Sequence, residues 1–158
     1  MRVAIVTVSD SAAEGKRRDE SGPALAQSCR ALGWDVVSTE ILSDDQTGLQ
    51  GRLTALADSA LADLVLTTGG TGIGPRESTP EATIAVCSKL LPGLGELMRS
   101  KGRDKNPRAV LSRAVAGVRA QSLIVNLPGS PRGATESFAA VADLLPHALS
   151  VLGGARHD

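Results

Sequence analysis

Aromatic side chains are almost missing from this chain: Trp34 and Phe138 stand alone, and there is no tyrosine. Stacking of nucleobases on aromatic platforms, a common way to hold single strands, is therefore excluded. The core has to be assembled from Leu, Val, Ile and Ala. Cysteine is scarce too. Cys29 and Cys87 lie on apolar helical patterns and read as buried thiols in a reducing compartment. No CxxC or Cys/His cluster offers a zinc site. Neither sign of charge is in excess, since 17 basic residues balance 17 acidic ones. A general role on nucleic acid or on a membrane surface has no electrostatic footprint here. No apolar run reaches membrane-spanning length, and the N-terminus lacks the basic region and cleavage site of a signal peptide. A cytoplasmic protein is expected. Histidine occurs only at His147 and His157.

What is present points to a globular α/β chain. The 158 residues, 42% hydrophobic and 22% charged, suit one domain spanning residues 1–158. The central stretch is LVLTTGGTGIGPRESTPE, residues 64–81. Residues 64–66 are a short continuous apolar run, as in a buried strand. Gly69, Gly70 and Gly72 open backbone angles closed to other residues and let a ligand approach the main chain. Thr79 suits a helix cap and Pro80 the first helical position. Strand, glycine loop and helix start together favour an anion. The loop matches neither GxxxxGK[ST] nor GxGxxG, so a Walker-type NTPase and a dinucleotide fold are disfavoured. Alone it is equally a tight turn without ligand; Arg76 and Glu77 beside it tilt the reading toward a site.

Along the chain, residues 3–8 read as a central strand, followed by Ser9 and Asp10 and a mobile polar loop over 14–20. A helix starts at Ser21-Gly22-Pro23 and ends at Gly33. Residues 36–42 are a second strand, ending at Asp44-Asp45. A helix over 46–61 follows, with Leu49, Leu53, Leu56, Ala57 and Ala60 on one face. Strand 63–68 enters the glycine loop. Ala82, Ala85, Val86 and Leu90 mark the next helix, Pro92-Gly93 breaks it, and 94–99 add a short one. Residues 101–108 form a basic connection, read with Arg99 as a solvated segment. A short strand over 114–118, a clear strand over 123–127, a helix from Gly133 and a last helical segment from Pro146 complete the chain. Alternating strands and helices predict a three-layer α/β/α fold, a mostly parallel twisted sheet with helices on both faces. Ligands collect at the carboxyl ends of such strands, where strand order reverses. Ser9-Asp10, Asp44-Asp45, the glycine loop and residues 126–131 all sit at predicted strand ends.

With those clusters laid out, the chain resembles the molybdopterin adenylyltransferase family of molybdenum-cofactor biosynthesis, the MogA/MoaB type related to the G domain of gephyrin. The resemblance covers nearly the whole chain. It rests on VTVSD (6–10), SGPAL (21–25), LTTGGTGIGPRESTPEAT (66–83), LPGLGELMR (91–99), LSRAVAG (111–117) and NLPGSP (126–131). It implies a mixed sheet, a homotrimer, and transfer of AMP from ATP to the terminal phosphate of molybdopterin, with magnesium and release of pyrophosphate. It also implies a downstream molybdate-insertion protein as partner. The family's two acids fall on Asp44 and Glu77, which would hold the metal and serve as the catalytic pair. Ser43 stands where the family has proline, and Glu77 where it normally has aspartate, one methylene shorter. The loop Gly69, Gly70, Thr71 and Gly72 would grip phosphate through its N–H groups, with Thr68 and Arg76 among the substrate-binding residues. Ser9, Asp10, Ser112, Arg113, Asn126, Pro128, Gly129 and Ser130 would complete the substrate contacts.

The chemistry brings two polyanions together, so positive charge and positioning dominate. The attacking phosphate is already ionised and needs no strong base, which fits a chain without a central histidine. The structural alternatives are a cap on helix 46–61 for Asp44, a surface ion pair with Arg76 for Glu77, a solvated residue for Arg113 and a plain turn for 126–130. Two other functions stay open: a non-catalytic molybdopterin carrier, and a scaffold module. A nucleotide hydrolase lacks a nucleophile cluster.

Overall fold

The computed structural model describes residues 1–156; His157 lies outside them. In chain order the elements are β1 (Arg2–Val8), α1 (Asp10–Ala13), α2 (Ser21–Ala31), β2 (Asp35–Leu42), α3 (Gln46–Asp58), β3 (Leu64–Thr68), α4 (Thr79–Val86), β4 (Lys89–Leu90), α5 (Pro92–Arg103), β5 (Ala116–Arg119), β6 (Ser122–Leu127), α6 (Pro131–Val141) and α7 (Leu145–Leu152). A 3-10 turn, Pro107–Leu111, precedes β5. The strands form one six-stranded sheet in the order β2-β1-β3-β6-β5-β4. β1, β2, β3 and β6 pair in parallel, and β5 pairs antiparallel with both β6 and β4.

Side chains of successive strand residues point to opposite faces, and both faces are covered. Val3, Ile5, Leu64, Leu66, Leu123 and Val125 pack with Leu25, Met98, Phe138 and Leu145. Ala4, Val6, Val8, Val65 and Ile124 pack instead with Leu49, Leu53, Leu56 and Val86. Burial on both sides explains why the central strands read as continuous apolar runs. The two aromatics meet edge to face, with ring centroids 5.6 Å apart. Burial pushes the thiols of Cys29 and Cys87 up to about 11, which keeps both protonated and unreactive near neutrality. Among the described residues no helix is long and apolar enough to cross a membrane.

Four expectations need correcting. Leu90 belongs to β4, not to a helix; a two-residue edge strand carries too little pattern to be read. Pro92 starts α5 instead of breaking a helix, and α5 runs on to Arg103, because proline's missing N–H costs nothing in a first turn. α3 stops at Asp58, and Ala60 leaves the helix with φ 55. The 14–20 loop is tied down: Lys16 and Arg17 N–H groups bond the Ser11 carbonyl, and Asp19 accepts from Thr7, Ser21 and Gly22.

The chain runs from β1 to β2 on one side and then crosses to β3 on the other side of β1. Strand order therefore reverses between β1 and β3, and loops diverge there to leave a crevice at the carboxyl ends.

Candidate active site

Two glycines let the loops converge. Gly69, the first residue after β3, has φ 104, and a Cβ there would overlap the Val8 carbonyl oxygen at the end of β1. Gly70 has φ 68, and a Cβ there would overlap Oγ1 of Thr79 and lie 3.1 Å from Oδ2 of Asp44. Only glycine allows both conformations and both approaches. The fully buried Thr79 locks the turn through its hydroxyl, which donates to the Gly69 carbonyl at 2.9 Å.

Asp44 follows β2 and reaches this loop. Its Oδ1 accepts from the Ser78 N–H and hydroxyl, both at 3.1 Å. Its own N–H donates to Asp10 Oδ1 at 2.9 Å. Arg76 closes the ring, donating to Asp10 Oδ2 at 2.6 Å and to the Asp44 carbonyl at 3.2 Å. Three strand-end loops are thereby joined in one network. Burial raises the Asp44 carboxyl above its ordinary range; the Ser78 hydrogen bonds oppose this, and the charges of Asp10 and Glu77 add to it. The Arg76 hydrogen bond holds the Asp10 carboxyl below its ordinary range, helped by the Asp44 N–H. The helix cap that is the structural alternative for Asp44 falls on Asp45, whose side chain accepts from Gly48 N–H.

Glu77 does not pair with Arg76. Its Oε1 accepts the Gly72 N–H at 3.0 Å and its Oε2 the Gly74 N–H at 2.8 Å. The side chain spans the loop it belongs to, and the Gly72 N–H expected to grip phosphate already holds a carboxylate. Arg113 braces the same loop from behind. Its guanidinium donates to the Gly72 carbonyl at 2.7 Å, to the Glu77 carbonyl at 3.0 Å and to the Glu81 carboxylate. Burial alone would raise the Glu81 carboxyl, but the Arg113 hydrogen bond and charge, with the Glu81 backbone N–H, outweigh it and the net shift is downward.

A cleft of about 340 Å³ opens at this point, lined by Ser9, Asp44, Thr68, Gly69, Gly70, Glu77, Gly129 and Ser130, with Arg17 and Arg18 on its rim. A second cleft, about 430 Å³, lies on the other side of Ser130. Its wall includes Arg99, Lys105, Arg108, Ser112, Pro128 and Arg132. Arg99, Lys105 and Arg108, read as part of a solvated segment, thus line a cavity, while Lys101 and Arg103 do not; Arg99 comes from α5, Lys105 from the connection after it and Arg108 from the 3-10 turn. Ser130 lines both clefts and caps α6, accepting from Gly133 N–H at 3.1 Å.

Several expected contacts lie elsewhere. Asn126 is fully buried, donating to Thr67 and Thr83 hydroxyls at 3.0 and 2.8 Å and accepting from Val115 N–H. Its amide is consumed by the sheet and cannot meet a substrate. Arg113, Arg76, Asp10, Thr71 and Gly72 line neither cleft; they hold the loops that do. Thr68 sits on the cleft wall with its hydroxyl donating to the Pro128 carbonyl at 2.7 Å.

Among the described residues no group of three or more His, Cys, Asp or Glu side chains is placed to hold a metal. Asp44 and Glu77 are nevertheless suited to magnesium, which takes few protein oxygens and keeps several waters. Asp44 Oδ2 carries no hydrogen bond within the described residues, and the mutual repulsion of the acids is the kind a cation relieves.

Fold and cleft together define an α/β protein with a charged crevice at the sheet's switch point, carboxylates and glycine loop on one side and guanidinium groups on the other. The chain belongs to the family described as "Probable molybdopterin binding domain", whose model matches residues 4–147. It is 40% identical over 156 residues to a Molybdopterin adenylyltransferase of Helicobacter pylori J99, covering 98% of this chain and 89% of that one. A Molybdopterin adenylyltransferase of Escherichia coli K12 is 39% identical over 146 residues, 90% of this chain and 74% of that one. The crystal structure of the molybdopterin biosynthesis enzyme MoaB from Thermus thermophilus superposes with a TM-score of 0.91 at 46% identity, covering 99% of both chains.

Proposed function

We propose that this chain is a molybdopterin adenylyltransferase, acting as one domain over residues 1–158. The observation that carries the reading is the meeting of Asp44, Glu77 and the Gly69–Gly70 turn in one cleft that joins a basic second cleft at Ser130. The nucleotide lies in the first cleft and the pterin in the second. An oxygen of the molybdopterin terminal phosphate bonds to the α-phosphorus of ATP. The bond from that phosphorus to the α–β bridging oxygen breaks, and its electron pair leaves with pyrophosphate. No proton has to move, because the nucleophile is ionised. Asp44 and Glu77 would hold magnesium, which supplies charge neutralisation for the triphosphate. Ser130 and the Gly129 turn position the phosphates at the junction, and Arg76, Asp10 and Arg113 keep the acid-bearing loops in register.

Self-association into a homotrimer is supported by exposed apolar side chains on neighbouring turns: Ile73, Val110 and Leu111 are 76%, 51% and 55% exposed, and Arg113 N–H to Thr71 carbonyl links the two segments. The product passes to a molybdate-insertion protein in the cytoplasm.

Incubation with molybdopterin, ATP and magnesium tests the reading. Adenylylated pterin and pyrophosphate in equal amounts are expected; neither product, beside an active relative, would overturn it. One observation favours a second reading, a pterin carrier without turnover: both Glu77 oxygens are already engaged by loop N–H groups. Pterin binding without pyrophosphate release, with activity gained on Glu77→Asp, would favour the carrier.

A further inference from the structure

The rim of the first cleft carries charge that neither the glycine motif nor the acid pair explains. Arg17 and Arg18 line it, and both are exposed. Their neighbours Lys16 and Asp19 have partners of their own. Lys16 pairs with Glu14 at 2.7 Å. Asp19 is consumed by Thr7, Ser21 and Gly22. Neither Arg17 nor Arg18 has an ion pair or side-chain hydrogen bond within the described residues. Asp19 and Glu20 line the same rim and match the two guanidinium charges in number, so the feature that stands out is not a net positive field but two cations without an ion pair among the described residues.

The backbone beneath them is held at both ends. On one side the Lys16 and Arg17 N–H groups bond the Ser11 carbonyl at 2.9 and 3.2 Å. On the other, Asp19 accepts the Thr7 hydroxyl at 2.8 Å and the Gly22 N–H at 3.1 Å. Two guanidinium groups are thus presented over a cleft whose other wall is Asp44 and Glu77. A ligand matched to both walls carries a cation on one side and a chain of phosphates on the other. Arginine suits the second task, because its planar fork meets phosphate oxygens in pairs and stays charged at every working pH.

We propose that Arg17 and Arg18 grip the β- and γ-phosphates of the nucleotide and hold the pyrophosphate as it leaves. This rests on the nucleotide reading given above and assigns the triphosphate end of that site. It predicts that discrimination between ATP and AMP resides in the 14–20 loop, while the adenylate end is held by the glycine turn.

Calorimetric titration with ATP, AMP and inorganic pyrophosphate, with magnesium, separates the possibilities. The wild-type chain should bind ATP about tenfold or more tighter than AMP, on the scale of one or two charge-assisted contacts. Arg17→Gln with Arg18→Gln should bring the two nucleotides within about threefold, leave AMP affinity unchanged and weaken pyrophosphate. Both side chains are exposed, so the fold should survive, and thermal melting checks it. Arg17→Lys with Arg18→Lys should restore part of the gap, since lysine keeps the charge and loses the fork. An unchanged gap in the glutamine variant overturns the assignment of the two arginines. A wild-type chain that binds no nucleotide overturns the nucleotide reading itself, and the assignment with it.

Discussion

The Asp44 carboxyl is held above its ordinary range first by burial and then by the neighbouring charges of Asp10 and Glu77, against the opposing pull of Ser78. The folded chain therefore holds that proton more tightly than the unfolded one. The associated stability is present below the unfolded carboxylate value of about 3.9 and is lost as pH rises through the raised value. At neutral pH the charged group costs stability. Asp44→Asn should leave the urea midpoint at pH 7 unchanged or higher, while binding of Mn²⁺, used as a probe, weakens by about tenfold or more. In the wild-type chain, Mn²⁺ affinity should fall on acidification with a midpoint above about 3.9, and the asparagine variant should show a smaller fall. Asp10 has the opposite sign: Arg76 lowers it, so its contribution is present above about 3.9 and lost as pH falls.

Arg113 is one of the residues that the structure places away from the expected substrate contacts. The resemblance places it among the substrate contacts; in the structure it spans Gly72, Glu77 and Glu81. Arg113→Gln should cost about 1–2 kcal/mol in denaturant unfolding, a figure lowered because the side chain is a third exposed. In the adenylyl-transfer assay it should reduce kcat more than it raises KM for ATP, because it holds Glu77 without lining either cleft. A rise in KM alone would return it to the substrate contacts.

At the scale of elements, the strands hold the site rigid and the turns aim it. Asn126 in β6 joins three elements, bonding Thr67 of β3, Thr83 of α4 and the backbone before β5. Asn126→Leu should cost about 2–4 kcal/mol of unfolding free energy, measured by urea titration, because it strands Val115 N–H and two hydroxyls in a dry core. The β5–β6 turn contains Ala120 at φ 50. Ala120→Gly should raise stability by about 0.5–1 kcal/mol, since a left-handed alanine is strained. Much of this layer could be read before any coordinates: apolar runs gave β1, β3 and β6, and the polar clusters at their ends gave the crevice. Asn126 could not be placed, because one amide between a strand and a turn satisfies a core network or a ligand equally well in sequence. The basic wall of the second cleft escaped for a related reason. Its residues lie near one another because Pro92 starts α5 and the helix carries Arg99 to the Ser112 and Ala114 carbonyls, ahead of β5.

For the whole molecule, the two clefts and the loop network form one unit. Ser130 belongs to both clefts, Asp10 links β1 to Asp44, and Arg76 links the glycine loop to both. The exposed Ile73, Val110 and Leu111 lie on the two segments joined behind the loop. In sedimentation the wild-type chain should have three times the chain mass, and Ile73→Lys with Leu111→Glu should shift it toward the monomer. A monomeric wild type would remove that surface from the reading. Whether a cation binds at Asp44 and Glu77 is the most direct test of the site itself. Crystals soaked with Mn²⁺ and a non-hydrolysable ATP analogue should show an anomalous peak bridging the carboxylates of Asp44 and Glu77, with the triphosphate beside it. A peak confined to other residues, with Glu77 still bound to the Gly72 and Gly74 N–H groups and Asp44 bare, would contradict it.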